Sequence, residues 1–206
     1  MIIEAVTGND AAAEIRRRIL DPLGLDDTFL ESFEEIPGGI VHHYHYATPS
    51  FVAAAGVHPE FRELRPYFVE STPGNLSPEW TAGGMVASAS DLARWARVLR
   101  DGELLETPEM REEVFTYYPP TGGAGRRSQY MQGISRTEGF YGDYAAFGHS
   151  GGTLGFTAYM YWLEDTDVTL VMLANVGGMH SGLSPSPVSL FFRQVLLPRI
   201  MRYLGR

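Results

Sequence analysis

The stretch Phe147-Gly148-His149-Ser150-Gly151-Gly152-Thr153-Leu154-Gly155 sets four glycines, an imidazole and two hydroxyls within nine residues. Glycine has no Cβ, so such a segment lets backbone amides come close to a ligand. A histidine beside a serine can move a proton or pair with an anion. Read alone, Gly148-His149-Ser150-Gly151-Gly152 is a G-x-S-x-G nucleophile elbow, and Asp165 or Asp167 followed by His180 completes the order Ser, Asp, His. An elbow needs a strand, a turn and a helix, with further βα units before the acid. Here thirty residues separate Ser150 from His180 (180 − 150), and the pattern after Gly155 is that of a hairpin. The other reading of the residues alone is a glycine-rich strand turn without chemistry.

Composition narrows the field. The chain has 206 residues, and all sixteen of its basic residues are arginine. Without lysine it cannot itself supply a Schiff base, a P-loop lysine or a Ser-Lys pair. Without cysteine it has no disulfide, thiolate nucleophile, zinc ribbon or iron–sulfur cluster. A net charge of -9 argues against nucleic-acid or anionic-membrane partners. No apolar run approaches the roughly 18 residues of a membrane span. Met1-Ile2-Ile3-Glu4-Ala5 lacks the basic start and apolar stretch of a signal peptide, and reads as a chain beginning inside an element.

Other segments carry weaker signals. His43 and His45 would share one face of a strand next to His42, but no nearby carboxylate completes a metal site, so a partly exposed strand without metal is expected. Gly122-Gly123-Ala124-Gly125-Arg126-Arg127 resembles a phosphate loop but lacks Lys and a following helix, which leaves a flexible turn. Trp80, Trp95 and Trp162 read as core or groove lining, and Glu31, Glu34 and Glu35 as a solvated face.

Periodicity and capping signals outline the helices and strands around the motif. Gly8-Asn9-Asp10 predicts a helix stop and an N-cap for a helix over about 11–20, burying Ala11, Ile15 and Ile19 while Glu14, Arg16 and Arg17 face water. Residues 28–78 read as a long wrapped region with a possible strand at 40–46. Ser90-Asp91 predicts the cap of a helix with Leu92, Trp95, Ala96 and Leu99 on its apolar face and a stop at Asp101-Gly102. Thr107-Pro108-Glu109 opens a short helix to about Phe115. Segments 130–136, 145–150, 156–163 and 168–175 read as four strands, the last two an antiparallel hairpin. The closing helix sets Val188, Phe191, Phe192 and Val195 on one face, and Pro198 must kink or end it. The expected fold is α+β, a mostly antiparallel sheet flanked by helices. It forms one domain over 1–206, with a helical and irregular region at 1–127 and antiparallel strands plus a C-terminal helix at 128–206.

Several segments, taken in order, carry a resemblance: Ile2-Ile3-Glu4-Ala5-Val6-Thr7-Gly8, Arg18-Ile19-Leu20-Asp21-Pro22-Leu23-Gly24-Leu25, Ala82-Gly83-Gly84-Met85-Val86-Ala87-Ser88 with Asp91-Leu92-Ala93, His149-Ser150-Gly151-Gly152, and Val171-Met172-Leu173-Ala174-Asn175. Together they resemble the C-terminal part of the serine β-lactamase and penicillin-binding-protein family, in its class C, DD-peptidase and esterase-like branch. That family's third motif is Lys or His, then Ser or Thr, then Gly, which His149, Ser150 and Gly151 match. The resemblance implies that His149 and Ser150 are catalytic, that Gly151, Gly152 and Thr153 bind substrate, and that the Gly152 amide is an oxyanion donor. It implies hydrolysis of a lactam, peptide or ester bond through an acyl-enzyme, a small-molecule or peptide substrate, and no metal or cofactor. The family's Ser-x-x-Lys and Tyr-x-Asn motifs do not occur in this sequence. The resemblance therefore implies a partial domain, incomplete at its N-terminus and inactive alone, with a possible partner in the missing N-terminal segment. The alternatives are an autonomous esterase with Ser150 as nucleophile and a non-catalytic binding module.

Overall fold

Residues 156–163 are apolar or aromatic at nearly every position, and a strand built this way must bury both faces. A computed structural model, describing residues 2–117 and 128–206, satisfies that demand with helices on either side of one sheet. Its strands are β1 (Thr28–Leu30), β2 (Tyr44–His45), β3 (Arg62–Arg65), β4 (Phe68–Glu70), β5 (Met85–Ala87), β6 (Ser128–Tyr130), β7 (Ser135–Tyr141), β8 (Tyr144–Thr153), β9 (Phe156–Leu163), β10 (Thr169–Ala174) and β11 (Val176–Gly177). The main sheet runs β10-β9-β8-β7-β6, antiparallel throughout. A second runs β11-β2-β4-β3 with β11 parallel to β2, and β1 pairs with β5.

Successive side chains of a strand point to opposite faces, and β9 divides its side chains accordingly. Met160 and Trp162, with Phe147, pack against Ala96, Leu92 and Trp95 of the Ala89–Asp101 helix. Tyr159, Tyr161 and Leu163 pack against Phe192, Leu197 and Met201 of the C-terminal helix. The expected α+β arrangement of antiparallel strands flanked by helices is the observed one.

The Ala89–Asp101 helix presents the predicted face, but its cap lies two residues earlier than expected. Ser88 accepts the Asp91 amide at 3.1 Å. The Asp91 carboxylate is thereby free to receive the Asp27 amide and the Thr28 hydroxyl, each at 2.9 Å, which ties the helix to β1. The wrapped region does consist of short pieces, including a helix at Pro49–Ala55 with Thr48 as cap. The strand expected at 40–46 shrinks to β2. The strand expected at 130–136 is two strands, because the Met131 amide bonds the Ile134 carbonyl and closes a turn between β6 and β7.

Both terminal helices bury part of the predicted stripe, Ala11 in one and Phe192 in the other, and depart from it further along. Each contains a five-residue π stretch, Arg16–Leu20 in the helix 11–23 and Phe192–Leu196 in the helix 187–203. A π turn widens the helix and shifts the phase of every later side chain. Leu20 is buried instead of Ile19, and Leu197 and Met201 follow Phe192 into the core; Phe191, ahead of the π stretch, is 52% exposed. Pro198 sits just after the second π stretch and the helix continues past it. Glu14, expected in water, is buried; Arg17, Arg18 and Asn9 bond its carboxylate and hold its pKa at about 2.

Candidate active site

β8 and β7 stay paired only as far as Ser135↔Gly148, whereas β8 and β9 pair without a shift from Ala146↔Leu163 to Thr153↔Phe156. Residues 149–153 therefore project past the end of β7 with their outer edge unpaired among the described residues. The Glu164 amide bonds the Ala145 carbonyl directly opposite it, at 2.9 Å. In an antiparallel ladder such hydrogen-bonded pairs alternate along the strand. Residues 147, 149, 151 and 153 thus bond toward β9. The backbone groups of Ser150 and Gly152 point to the open edge.

The side chains alternate as well. His149, Gly151 and Thr153 share the face of Phe147, and Gly151 leaves a notch between the other two. His149 is exposed, with its ring edge-on to Tyr130 at 5.6 Å between centroids. The Thr153 hydroxyl donates to the Glu79 carboxylate at 2.5 Å. Ser150 lies opposite Tyr159 on the other face, where its hydroxyl meets the Tyr161 phenol. Burial pushes that phenol up, and the serine opposes the shift. The hydroxyl sharing the face of His149 is therefore that of Thr153. At the Thr153 end lies the short Trp80–Gly83 helix, where Trp80 meets Phe33 edge-on at 4.0 Å.

The elbow reading is overturned. Ser150 is the seventh of the ten residues of β8, and the chain then turns at Leu154-Gly155 into β9. A strand paired on through Thr153 has no strand-to-helix turn to raise a serine above the sheet.

The glycines divide into two kinds. A Cβ on Gly148 would lie 2.7 Å from Tyr161 Cα and closer still to the Met160 carbonyl oxygen, so β9 forbids it. A Cβ on Gly155 would enter the ring of His43. On Gly151 it would meet nothing within 4 Å, and on Gly152 only the Phe156 carbonyl at 3.9 Å. Neither of these two has a positive φ, so the fold itself does not require glycine there.

Beneath the β8–β9 turn lies the histidine cluster, and here the expected partly exposed strand is wrong: His43 and His45 are fully buried. His45 Nδ1 accepts the Gly155 amide at 3.0 Å, and its Nε2 faces the Met179 carbonyl at 2.9 Å. His43 Nδ1 pairs with Ser71 Oγ at 2.8 Å. Burial pushes both imidazole pKa values down. His42, at the surface, bonds Glu70, which Arg62 also bonds, and together they hold the Glu70 carboxyl at about 2. Trp162 is core and Trp95 borders it, as expected. Glu34, expected in water, receives Arg16 and the Leu30 amide. The segment 122–127 lies outside the described residues.

Sequence reasoning missed Glu79, Tyr130 and the support given by His45. Glu79 is 74 residues from Thr153 and His45 is 110 from Gly155, separations that no local pattern spans. Among the described residues no helix is long and apolar enough to cross a membrane.

A beta-lactamase family model matches residues 1–184. The D-amino acid amidase from Ochrobactrum anthropi SV3, complexed with L-phenylalanine amide, is 27% identical with a TM-score of 0.69, over 86% of this chain and 49% of that one. The D-stereospecific amidohydrolase from a Streptomyces species is 24% identical with a TM-score of 0.65, over 85% and 47%. The octameric penicillin-binding protein homologue from Pyrococcus abyssi is 21% identical with a TM-score of 0.61, over 96% and 40%. The last two likenesses concern the fold. The chain spans about half the length of the first two of these relatives.

Proposed function

The chain belongs to the beta-lactamase family, and from that premise we propose that the open edge of β8 is one wall of a serine hydrolase site that cleaves amide, lactam or ester bonds through an acyl-enzyme. The observation that carries this reading is the pair Gly151 and Gly152, glycines that the fold does not need, on a strand edge unpaired among the described residues. Bare backbone at an open edge suits a ligand that approaches the main chain closely.

On this reading the outward Gly152 amide donates to the carbonyl oxygen as it gains charge, and losing such a donor costs about 10² to 10³ in rate. His149 faces the substrate's anionic group or shares its proton, and Thr153, fixed by Glu79, closes the far end. Ser150 contributes its backbone to the edge. The attacking hydroxyl and its lysine belong to polypeptide carrying Ser-x-x-Lys and Tyr-x-Asn, which this sequence lacks. The chain alone then binds without turnover. The amidase relatives make D-amino acid amides the first substrate class to test.

The test supplies a polypeptide with those two motifs in trans and follows hydrolysis of D-phenylalanine amide, a penicillin-type lactam and a short acyl ester. The chain alone is expected to give none, and the complemented pair turnover that Gly152→Pro, which removes the amide donor at an open strand edge, lowers by about 10² to 10³. Turnover by the chain alone, lost in Ser150→Ala, would instead establish Ser150 as nucleophile. Ligand binding to this edge without turnover under complementation would leave a binding module.

A further inference from the structure

His45 holds the end of the candidate wall from beneath, through a contact that only a neutral ring can make. The Met179 carbonyl can only accept and the Gly155 amide can only donate. A ring bonded to both must carry its proton on Nε2 and a bare lone pair on Nδ1. A second proton would go to Nδ1, where it would point at the Gly155 N–H and replace an acceptor by a donor. Gly155 is half of the two-residue turn joining β8 to β9, with φ +77°. Gly177 of β11 presses on the same turn: a Cβ there would lie 2.5 Å from the Gly155 nitrogen and from the Thr153 carbonyl oxygen. Strand β2, strand β11 and the Met179 carbonyl therefore form a seat for the turn, with the His45 lone pair at its centre.

We propose that His45 is a positioning residue for the β8 edge: its neutral imidazole fixes the Gly155 turn and thereby the Gly152 amide, and its protonation releases them. The inference rests on the reading of 149–153 as a substrate wall only for its effect on binding; the coupling of ring to turn stands without it. Few charges could stabilise the protonated ring. His180, from the segment after β11, and His43, from its own segment, are the titratable groups that act near it, and both disfavour a second charge. Glu70 on β4 is engaged by His42 and Arg62, and Glu79 by Thr153. The Pro49–Ala55 helix, which brings Phe51 against the ring at 4.4 Å, and β11 contribute no charged residue.

The experiment is a nitrogen-15 NMR titration of the whole chain from about pH 7.5 to about pH 5, spanning the ordinary histidine range. It reads the His45 ring nitrogens, the Gly155 and Gly152 amides, and the affinity for a penicillin-type carboxylate whose charge is constant over that range. The Nε2–H tautomer is expected at the upper end. The Gly155 and Gly152 amides are expected to shift in step with His45, and Gly155 exchange with solvent to accelerate about two- to tenfold relative to its intrinsic rate, as loss of one hydrogen bond implies. His45→Gln, neutral at every pH, is expected to flatten that dependence and to remove the His45 share of any pH dependence in affinity. A His45 that titrates while Gly155 and Gly152 stay still, or a ring still neutral at the lower limit, overturns the proposal. If His45→Gln does not fold, the titration of the unaltered chain decides alone. Amides that move in step without ligand binding at any pH uphold the positioning role and overturn the wall reading instead.

Discussion

Alanine at Gly148 and alanine at Gly152 are the same chemical change four residues apart on one strand, and the structure assigns them opposite consequences. At position 148 the new carbon would sit 2.6 Å from Tyr161 Cδ1 and 2.7 Å from Tyr161 Cα, where carbon atoms prefer about 3.5 to 4.0 Å. The obstacle includes the β9 backbone, so β8 and β9 must separate locally by about 1 Å, which lengthens ladder bonds beyond useful range. Overpacking costs about 1–3 kcal/mol, each lost ladder bond about 1 kcal/mol, and a side chain in an unfavourable conformation about 1–2 kcal/mol. The sum is roughly 3–5 kcal/mol, or about 6–20 °C in Tm for a chain of this size. At position 152 there is room and no positive φ, so alanine leaves stability unchanged or raises it by up to about 1 kcal/mol by restricting the unfolded chain. Thermal and urea unfolding, monitored by near-ultraviolet circular dichroism, measure both. Equal losses, or a larger loss at Gly152, would show that the open edge is not open.

Three further outcomes follow from the packing. His43 and His45 are buried neutral, with pKa values below the ordinary 6.5, so the unfolded chain binds more protons just below that pH. Stability is then fully present above about pH 6.5 and falls with acid by about 1.4 kcal/mol per pH unit per ring until the folded rings protonate; a urea midpoint flat from about pH 7.5 to about pH 5.5 contradicts this. Ser88→Ala removes the cap of the Ala89–Asp101 helix and is expected to cost about 1 kcal/mol, whereas Ser90→Ala, two residues inside, costs at most a few tenths; the reverse ranking in urea unfolding refutes the cap assignment. Phe192→Ala, at a ring 2% exposed and stacked on Tyr159 at 4.3 Å, is expected to cost about 3–5 kcal/mol. Phe191→Ala, next to it on the exposed side, is expected to cost under about 0.5 kcal/mol, and comparable losses would refute the burial of one ring and the exposure of the other.

The sequence made legible what depends on neighbours within a turn or two. Asp10 and Thr107 cap the helices predicted from them, Gly102 ends one, and the Tyr159/Met160 alternation gives a strand with two buried faces. The family of the chain was also readable, from the order of several short motifs. Hidden were features decided at long range. The histidines of 42–45 read as a half-wet strand because β4, β11 and the β8–β9 turn close over them from positions 24 to 132 residues away (69 − 45 and 177 − 45). The cap expected at Ser90 falls instead to Ser88, which leaves Asp91 placed to bind Thr28. A π stretch leaves no composition signal, so a 3.6-residue period carried through it names the wrong neighbour.

That last point reaches beyond this chain's own core. In the helix 187–203 the residues before and after the π stretch keep different angular clocks, offset by about one position, or 100° of rotation. A relative lacking one residue in this stretch could preserve every core contact and yet align with a gap in mid-helix, where gaps are usually taken as errors. Conversely, a designer who regularises the segment to uninterrupted α-helix without deleting a residue would swing Leu197 and Met201 out of the core while improving every local score.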